Sequence, residues 1–188
     1  ISTTLRDTAY LKAARDAILR VDMFPMMVEQ FEGSDEVTVV LRRVDEAEIY
    51  TGILGGRYGY VPKNPERNPE RLSIMEIAYR RATERGIPIL VFIRRDINNT
   101  LEEVDVDPGL IDRLNRFKGH LQKNHTVYFF ETPDDLRKGL LEALSRLRSP
   151  AELQRIRDLY RAWVDTLPAT SSERVNIQTL MDLLNAVE

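Results

Sequence analysis

EIYTGILGGRYGYVPKNPERNPERLSIMEIAYRRATERGIPILVFI, residues 48–93, is the stretch that decides the fold. EIYTGILG, 48–55, is a continuous apolar run of strand length. Such a run is expected where both faces of a strand are covered. The loop over 60–70 holds Pro62, Pro65 and Pro69. Ser73 then opens a helical pattern over 74–85, which Gly86 and Pro88 stop. IPILVFI, 87–93, is the clearest strand in the chain. Strand, helix, strand in that order is the unit of a parallel sheet.

Outward from this unit the same alternation continues. Residues 1–4 read as the end of a strand, and residues 5–20 as a helix with Leu5, Ala9, Leu11, Ala14, Ile18 and Leu19 at mostly helical spacing. FPMMVEQ, 24–30, reads as a short strand, and the caps in 33–36 precede a helix over about 37–46. Toward the other end come an amphipathic helix over 108–123, the strand TVYFF at 126–130, and a helix starting at Thr132, Pro133 and Asp134 and running to about 147. The expectation is an α/β domain over 1–148: a five-stranded parallel sheet of flavodoxin-like order 2-1-3-4-5 in three layers. After Pro150, residues 151–166 and about 172–187 read as two helices with no strand between them, a helical extension over 149–188 or a linker to a further domain.

The bulk numbers narrow the classes. In 188 residues, 43% hydrophobic and 30% charged composition is ordinary for a globular domain. A net charge of -3 gives no footprint of a nucleic-acid binder. Without cysteine there is no disulfide, thiolate zinc site or thiol catalysis, and a cytoplasmic location is the expectation. His120 and His125 lie five apart, which misses the helical spacing of a metal pair. No apolar run approaches the roughly 20 residues of a membrane span, and no signal peptide is visible. A start at Ile1 rather than Met reads as a piece of a longer protein.

Open parallel sheets bind ligands at the carboxyl ends of their strands, where the strand order reverses. For order 2-1-3-4-5 that crevice lies between the strand ending in Ser2, Thr3 and Thr4 and the strand ending in Gly55, Gly56, Arg57, Tyr58 and Gly59. Glycines let backbone N–H groups approach a phosphate. Arg57 offers a planar fork, Tyr58 a stacking surface, and Ser73 and Glu76 line the rim. Glu76 would stabilise or trap a ribosyl cation in cleavage of an N-glycosidic bond.

Each of these residues also has a plain structural reading. Ser73 and Glu76 fit a capping box, with Leu72 and Ile77 as its hydrophobic staple. Glu76 and Arg80 form an i,i+4 pair. The glycines shape a tight turn, Arg57 pairs with a surface acid, and Tyr58 and Tyr60 cover the sheet edge. His120 and His125 read as surface residues flanking a strand. Arg113, Arg116, Lys118 and Lys123 read as a solvated face, and Trp163 with Leu159 and Leu167 as packing.

Four segments resemble the DUF4062 family in colinear order over about residues 1–95. ISTTLRD resembles its FISSTFxDL opening, and FPMMVEQFEGSDE its second strand and acidic turn. EIYTGILGGRYGYVP resembles ADIYVGILGxRYG, and LSIMEIAYRRATERGIPILVFI the Glu-bearing helix and following strand. The family is similar to Toll/interleukin-1 receptor (TIR) domains and commonly stands at the N-terminus of NACHT-type or related STAND proteins, associated with signalling and with defence against phage. Catalytic TIR domains hydrolyse NAD with a Glu on the helix after their third strand, and nucleoside deoxyribosyltransferases carry a similar Glu-bearing helix. Glu76 takes the corresponding place, although Ile74 and Met75 stand where the TIR pattern has Trp-Cys.

The resemblance implies a TIR-like effector domain that binds NAD or a related nucleotide and needs no metal or further cofactor. Glu76 is then the catalytic residue. Ser2, Thr3, Gly55, Gly56 and Arg57 hold phosphate, while Tyr58, Ser73 and Tyr79 shape the rest of the pocket. The partners implied are the C-terminal domains of its own longer chain and further copies of itself, with no nucleic acid and no membrane. The alternative is a non-catalytic adaptor that oligomerises through its helix faces, the helical tail being the feature that suggests it.

Overall fold

The computed structural model describes residues 1–5, 8–27, 35–95 and 104–147. Its centre is the unit anticipated from 48–93. Strand β2 (Tyr50–Leu54) and strand β3 (Ile89–Arg94) run parallel, from Tyr50 opposite Ile89 to Leu54 opposite Ile93. Helix α3 (Ile74–Arg85) joins them. Every residue of β2 is buried, as its unbroken apolar run demands. Strand β1 (Ser2–Thr3) pairs with β2 on its free side, and β4 (Val127–Phe130) pairs with β3. The sheet is therefore wholly parallel, in the order β1-β2-β3-β4.

Helices α1 (Thr8–Arg20), α2 (Glu36–Glu46), α4 (Pro108–Asn124) and α5 (Pro133–Leu147) complete the described elements. They divide between the two faces of the sheet because strand side chains alternate. Tyr50, Leu54, Val91 and Ile93 point to one side and pack with α2, α3 and α4. Ile53, Leu90, Phe92 and Phe130 point to the other and pack with α1 and α5. Three layers result. Residues 1–144 form one compact unit, and 145–188 a second of which only the last turn of α5 is described.

Two expectations on the sheet need correction. Among the described residues there are four strands, not five, and the order 2-1-3-4-5 is not realised. The apolar run assigned to a strand over 24–30 carries no strand at Phe24–Met27, and 28–30 lie outside the described residues. A two-residue β1 gives a neighbour little edge to pair with, Pro25 has no N–H to donate, and Phe24 is 86% exposed rather than packed. The Ile1 amine donates to the Met26 carbonyl at 2.6 Å where a ladder was expected. Without that strand the described sheet has no reversal of order, so the switch-point argument loses its footing. The extension expected over 149–188, with Leu159, Trp163 and Leu167, lies outside the described residues.

Helix ends follow local chemistry. The Ser73 hydroxyl accepts from the Glu76 N–H at 3.3 Å, and Gly86 closes α3 in the left-handed region at φ 66°. Asp107 caps α4 through the Gly109 N–H at 2.7 Å, with Pro108 at the first position. Thr132 and Asp135 cap α5 reciprocally, at 3.0 and 3.2 Å. No helix among the described residues is long and apolar enough to cross a membrane.

Candidate functional site

Tyr58 follows β2 by four residues, and its ring is 1% exposed. Its phenol donates to Glu76 Oε2 at 2.6 Å. Burial, and then the neighbouring carboxylate, push this phenol above its usual pKa, while the Ser73 N–H and the Arg113 guanidinium pull the other way. Glu76 comes from the first turn of α3. Its second oxygen accepts from Arg80 at 2.9 Å, and Arg80 reaches on to Glu70 at 2.8 Å. The anticipated i,i+4 pair is therefore present, with Glu76 15% and Arg80 44% exposed at the side chain.

The capping box is present only in its first half. Ser73 accepts from the Glu76 N–H, but both Glu76 oxygens are turned to Tyr58 and Arg80. The Tyr58 phenol takes one of those oxygens instead, donating to Glu76 Oε2 at 2.6 Å.

Glu76 opens onto a groove of about 790 Å³ between α3 and α4. Tyr58 and Glu76 line it, Tyr79 and Phe117 supply aromatic wall, and Arg80, Arg113 and Arg116 line it together with Glu70 and Glu84. Arg113 is positioned by the carbonyls of Glu70 and Arg71, at 3.2 and 2.9 Å. Positive and negative side chains are thus interleaved, a lining suited to a ligand that itself carries both signs.

Tyr79, one turn after Glu76 on α3, also lines the groove. Its phenol meets His125 Nε2 at 2.9 Å, and its ring meets Phe117, His120 and His125 edge-on at 5.5, 5.7 and 5.5 Å. Burial, assisted by nearby His120, lowers the His125 pKa. His120 is exposed, as expected of a surface residue, but His125 is half-buried and bonded. Both belong to the Tyr79 cluster rather than to a plain strand flank.

The other residues singled out from the sequence are elsewhere. Ser2 is fully buried in the ladder opposite Gly52. The Thr3 hydroxyl accepts from the Leu5 N–H at 3.1 Å, and the Thr4 hydroxyl accepts from the Gly55 N–H at 2.9 Å. The Gly56 carbonyl accepts from the Asp105 N–H at 3.2 Å, beside a bridge to Val104. The Tyr58 N–H donates to the Asp105 carboxylate at 2.7 Å. Arg57 is half-buried. Ser2, Thr3, Gly55, Gly56, Arg57 and Ser73 do not line the groove, whereas Tyr58, Glu76 and Tyr79 do. Glycine loop and groove meet only through Tyr58. The sequence reading missed Asp105, Glu70 and the inward role of Arg113, which no local motif marks. Among the described residues, no three His, Asp or Glu side chains are grouped as metal ligands.

A three-layer, parallel α/β domain with a tyrosine-bound carboxylate at the start of the helix after β2 is the class that fold and site define. The chain belongs to the DUF4062 family: the family model described as a domain of unknown function matches residues 1–145. No curated protein and no solved structure matches it.

Proposed function

We propose that this domain is a TIR-like signalling or effector module of a larger STAND-type protein, and that it takes a nucleotide such as NAD in the α3–α4 groove. The observation that carries the reading is the Glu76 carboxylate, partly exposed in the lining of a groove of about 790 Å³. That size falls within the roughly 300–1,000 Å³ of small-molecule sites. Tyr79 and Phe117 offer faces for a base, and Arg113 and Arg116 offer donors for a pyrophosphate. NAD combines a cationic nicotinamide ring with an anionic pyrophosphate, which suits the mixed lining.

In the reaction Glu76 stands beside the ribosyl C1′ as its bond to the nicotinamide nitrogen breaks. The bonding pair leaves with the nicotinamide, which becomes neutral, and positive charge develops on the ribosyl ring. Water adds to C1′ and releases a proton, giving ADP-ribose. Arg80 is nearly half exposed and also pairs with Glu70, so it keeps a partner on releasing the Glu76 oxygen it holds. The test is nicotinamide release from NAD by the concentrated protein, with Glu76→Gln alongside. Release by the wild type alone supports the assignment. Equal release by both proteins overturns it.

A second reading, a non-catalytic adaptor, draws on a different observation: both Glu76 oxygens are occupied from within the domain. Self-association that needs residues 149–188, with no nucleotide bound, is its expected signature. Saturable NAD binding in the groove counts against it.

A further inference from the structure

The loop after β2 carries a feature the groove does not use. The Tyr58 N–H points off the glycine loop and is met by a carboxylate from Asp105, 47 residues further along the chain. We propose that Gly55–Tyr58 is a binding site for a nucleotide phosphate, and that the chain keeps it closed with Asp105 as an internal competitor.

Three observations support this. First, the Asp105 carboxylate does here what a phosphate oxygen does at such loops, accepting a backbone N–H at 2.7 Å. Gly56 and the half-buried Arg57 precede Tyr58 in this loop. Second, the bridge from Gly56 to Val104 and the Asp105 N–H on the Gly56 carbonyl at 3.2 Å hold the backbone of this segment beside the loop, so the carboxylate stands at the Tyr58 N–H as a local competitor. Third, that segment lies shallow. Asp105 is half-buried, and the next residue, Val106, is 75% exposed. A small apolar side chain left in water is a poor anchor, so displacement uncovers little more apolar surface. Negative charge at the loop also repels an incoming phosphate, so the same carboxylate that imitates the ligand excludes it.

An incoming phosphate takes the Tyr58 N–H. Asp105 moves into solvent. Because Tyr58 also holds Glu76, occupancy of the loop is felt at the groove. The ligand class rests on the nucleotide reading above; the site itself does not.

The experiment is a titration of the full 188-residue chain with inorganic pyrophosphate, followed through backbone amide resonances. Wild type, Asp105→Asn and Asp105→Ala are compared, each checked for cooperative thermal unfolding. Asp105→Ala is expected to bind at least about tenfold tighter than wild type, the scale of one charge-assisted hydrogen bond and one repulsion removed. Asp105→Asn falls between, since its amide oxygen accepts the same bond without the charge. The Tyr58 and Gly55 amides should shift as the ion binds. Binding no tighter in either folded variant overturns the proposal, as does binding that leaves those amides in place. Should neither variant fold, the wild type decides: a saturable shift at Tyr58 supports the competitor, and no shift at high pyrophosphate rejects it. Nicotinamide release plays no part here, so failure of the groove reading and failure of this one are told apart.

Discussion

The Tyr58 phenol donates to Glu76 Oε2 at 2.6 Å from a ring that is 1% exposed. One residue therefore ties the end of a central strand to the first turn of α3. Tyr58→Phe keeps the ring in place but leaves the Glu76 carboxylate short of a donor. Stability should fall by about 1–2 kcal/mol, measured as a shift in urea midpoint with unchanged slope.

The same contact sets an alkaline limit. The phenol is held protonated beyond its usual value of 10.0, chiefly by burial. A group whose pKa is raised on folding contributes stability below its unfolded value and loses it as pH rises through the folded one. The stability gap between wild type and Tyr58→Phe should thus be widest below about pH 10 and shrink above it. A gap that grows with alkalinity would contradict the assignment.

His125 sets the opposite limit. Its pKa is lowered from 6.5 by burial and by His120. In the neutral form Nε2 can accept from the Tyr79 phenol 2.9 Å away, whereas the protonated ring turns that nitrogen into a donor. A depressed pKa means stability present above the unfolded value and lost as pH falls through the folded one. Wild type should lose stability between about pH 7 and 5 more steeply than His125→Gln, which keeps an acceptor and cannot titrate. Parallel denaturation curves at several pH values check this.

Asn68 is the hidden support of the groove's rim. It is 3% exposed, donates to the Leu72 and Pro62 carbonyls at 2.8 and 3.3 Å, and accepts from the Leu72 N–H at 2.8 Å. Asn68→Ala leaves these buried groups unmatched, at a cost of about 2 kcal/mol. Because Glu70 and Arg71 lend their carbonyls to Arg113, the loop between Pro62 and Leu72 should also become the first site of limited proteolysis.

What could be read beforehand was what lies close along the chain. Ser73 and Gly86 mark the ends of α3 with their own side-chain and backbone chemistry, and α3 runs between them as expected. β2 and β3 announced themselves by unbroken apolar runs. FPMMVEQ has the same composition, but a strand also needs an edge to pair with, and β1 offers two residues. The site was legible at Glu76, Tyr58 and Tyr79 as residue types near one helix. Their partners were not: Asp105 reaches Tyr58 over 47 positions and His125 reaches Tyr79 over 46. No spacing rule links a strand end to a loop that far away. The capping box shows a subtler limit. Its spacing was right, yet a buried phenol competed for the carboxylate and won.

Glu76 is either a structural partner of Tyr58 and Arg80 or a catalyst, and Glu76→Gln tells the two apart. In Glu76→Gln the amide oxygen still accepts from Tyr58, while the pair with Arg80 is lost. That pair is partly exposed on the Arg80 side, so the loss should be only about 0.5 kcal/mol. A residue that merely ties Tyr58 and Arg80 to α3 shows this small change and nothing more. A carboxylate that acts on a ribosyl centre loses at least about a hundredfold in nicotinamide release with the fold intact. Arg80→Met supplies the complementary test: it frees one Glu76 oxygen and leaves the Tyr58 bond, so release should rise while stability again changes little. Release lowered equally by both substitutions would instead make the Glu76–Arg80 pair, and not the free carboxylate, the functional unit.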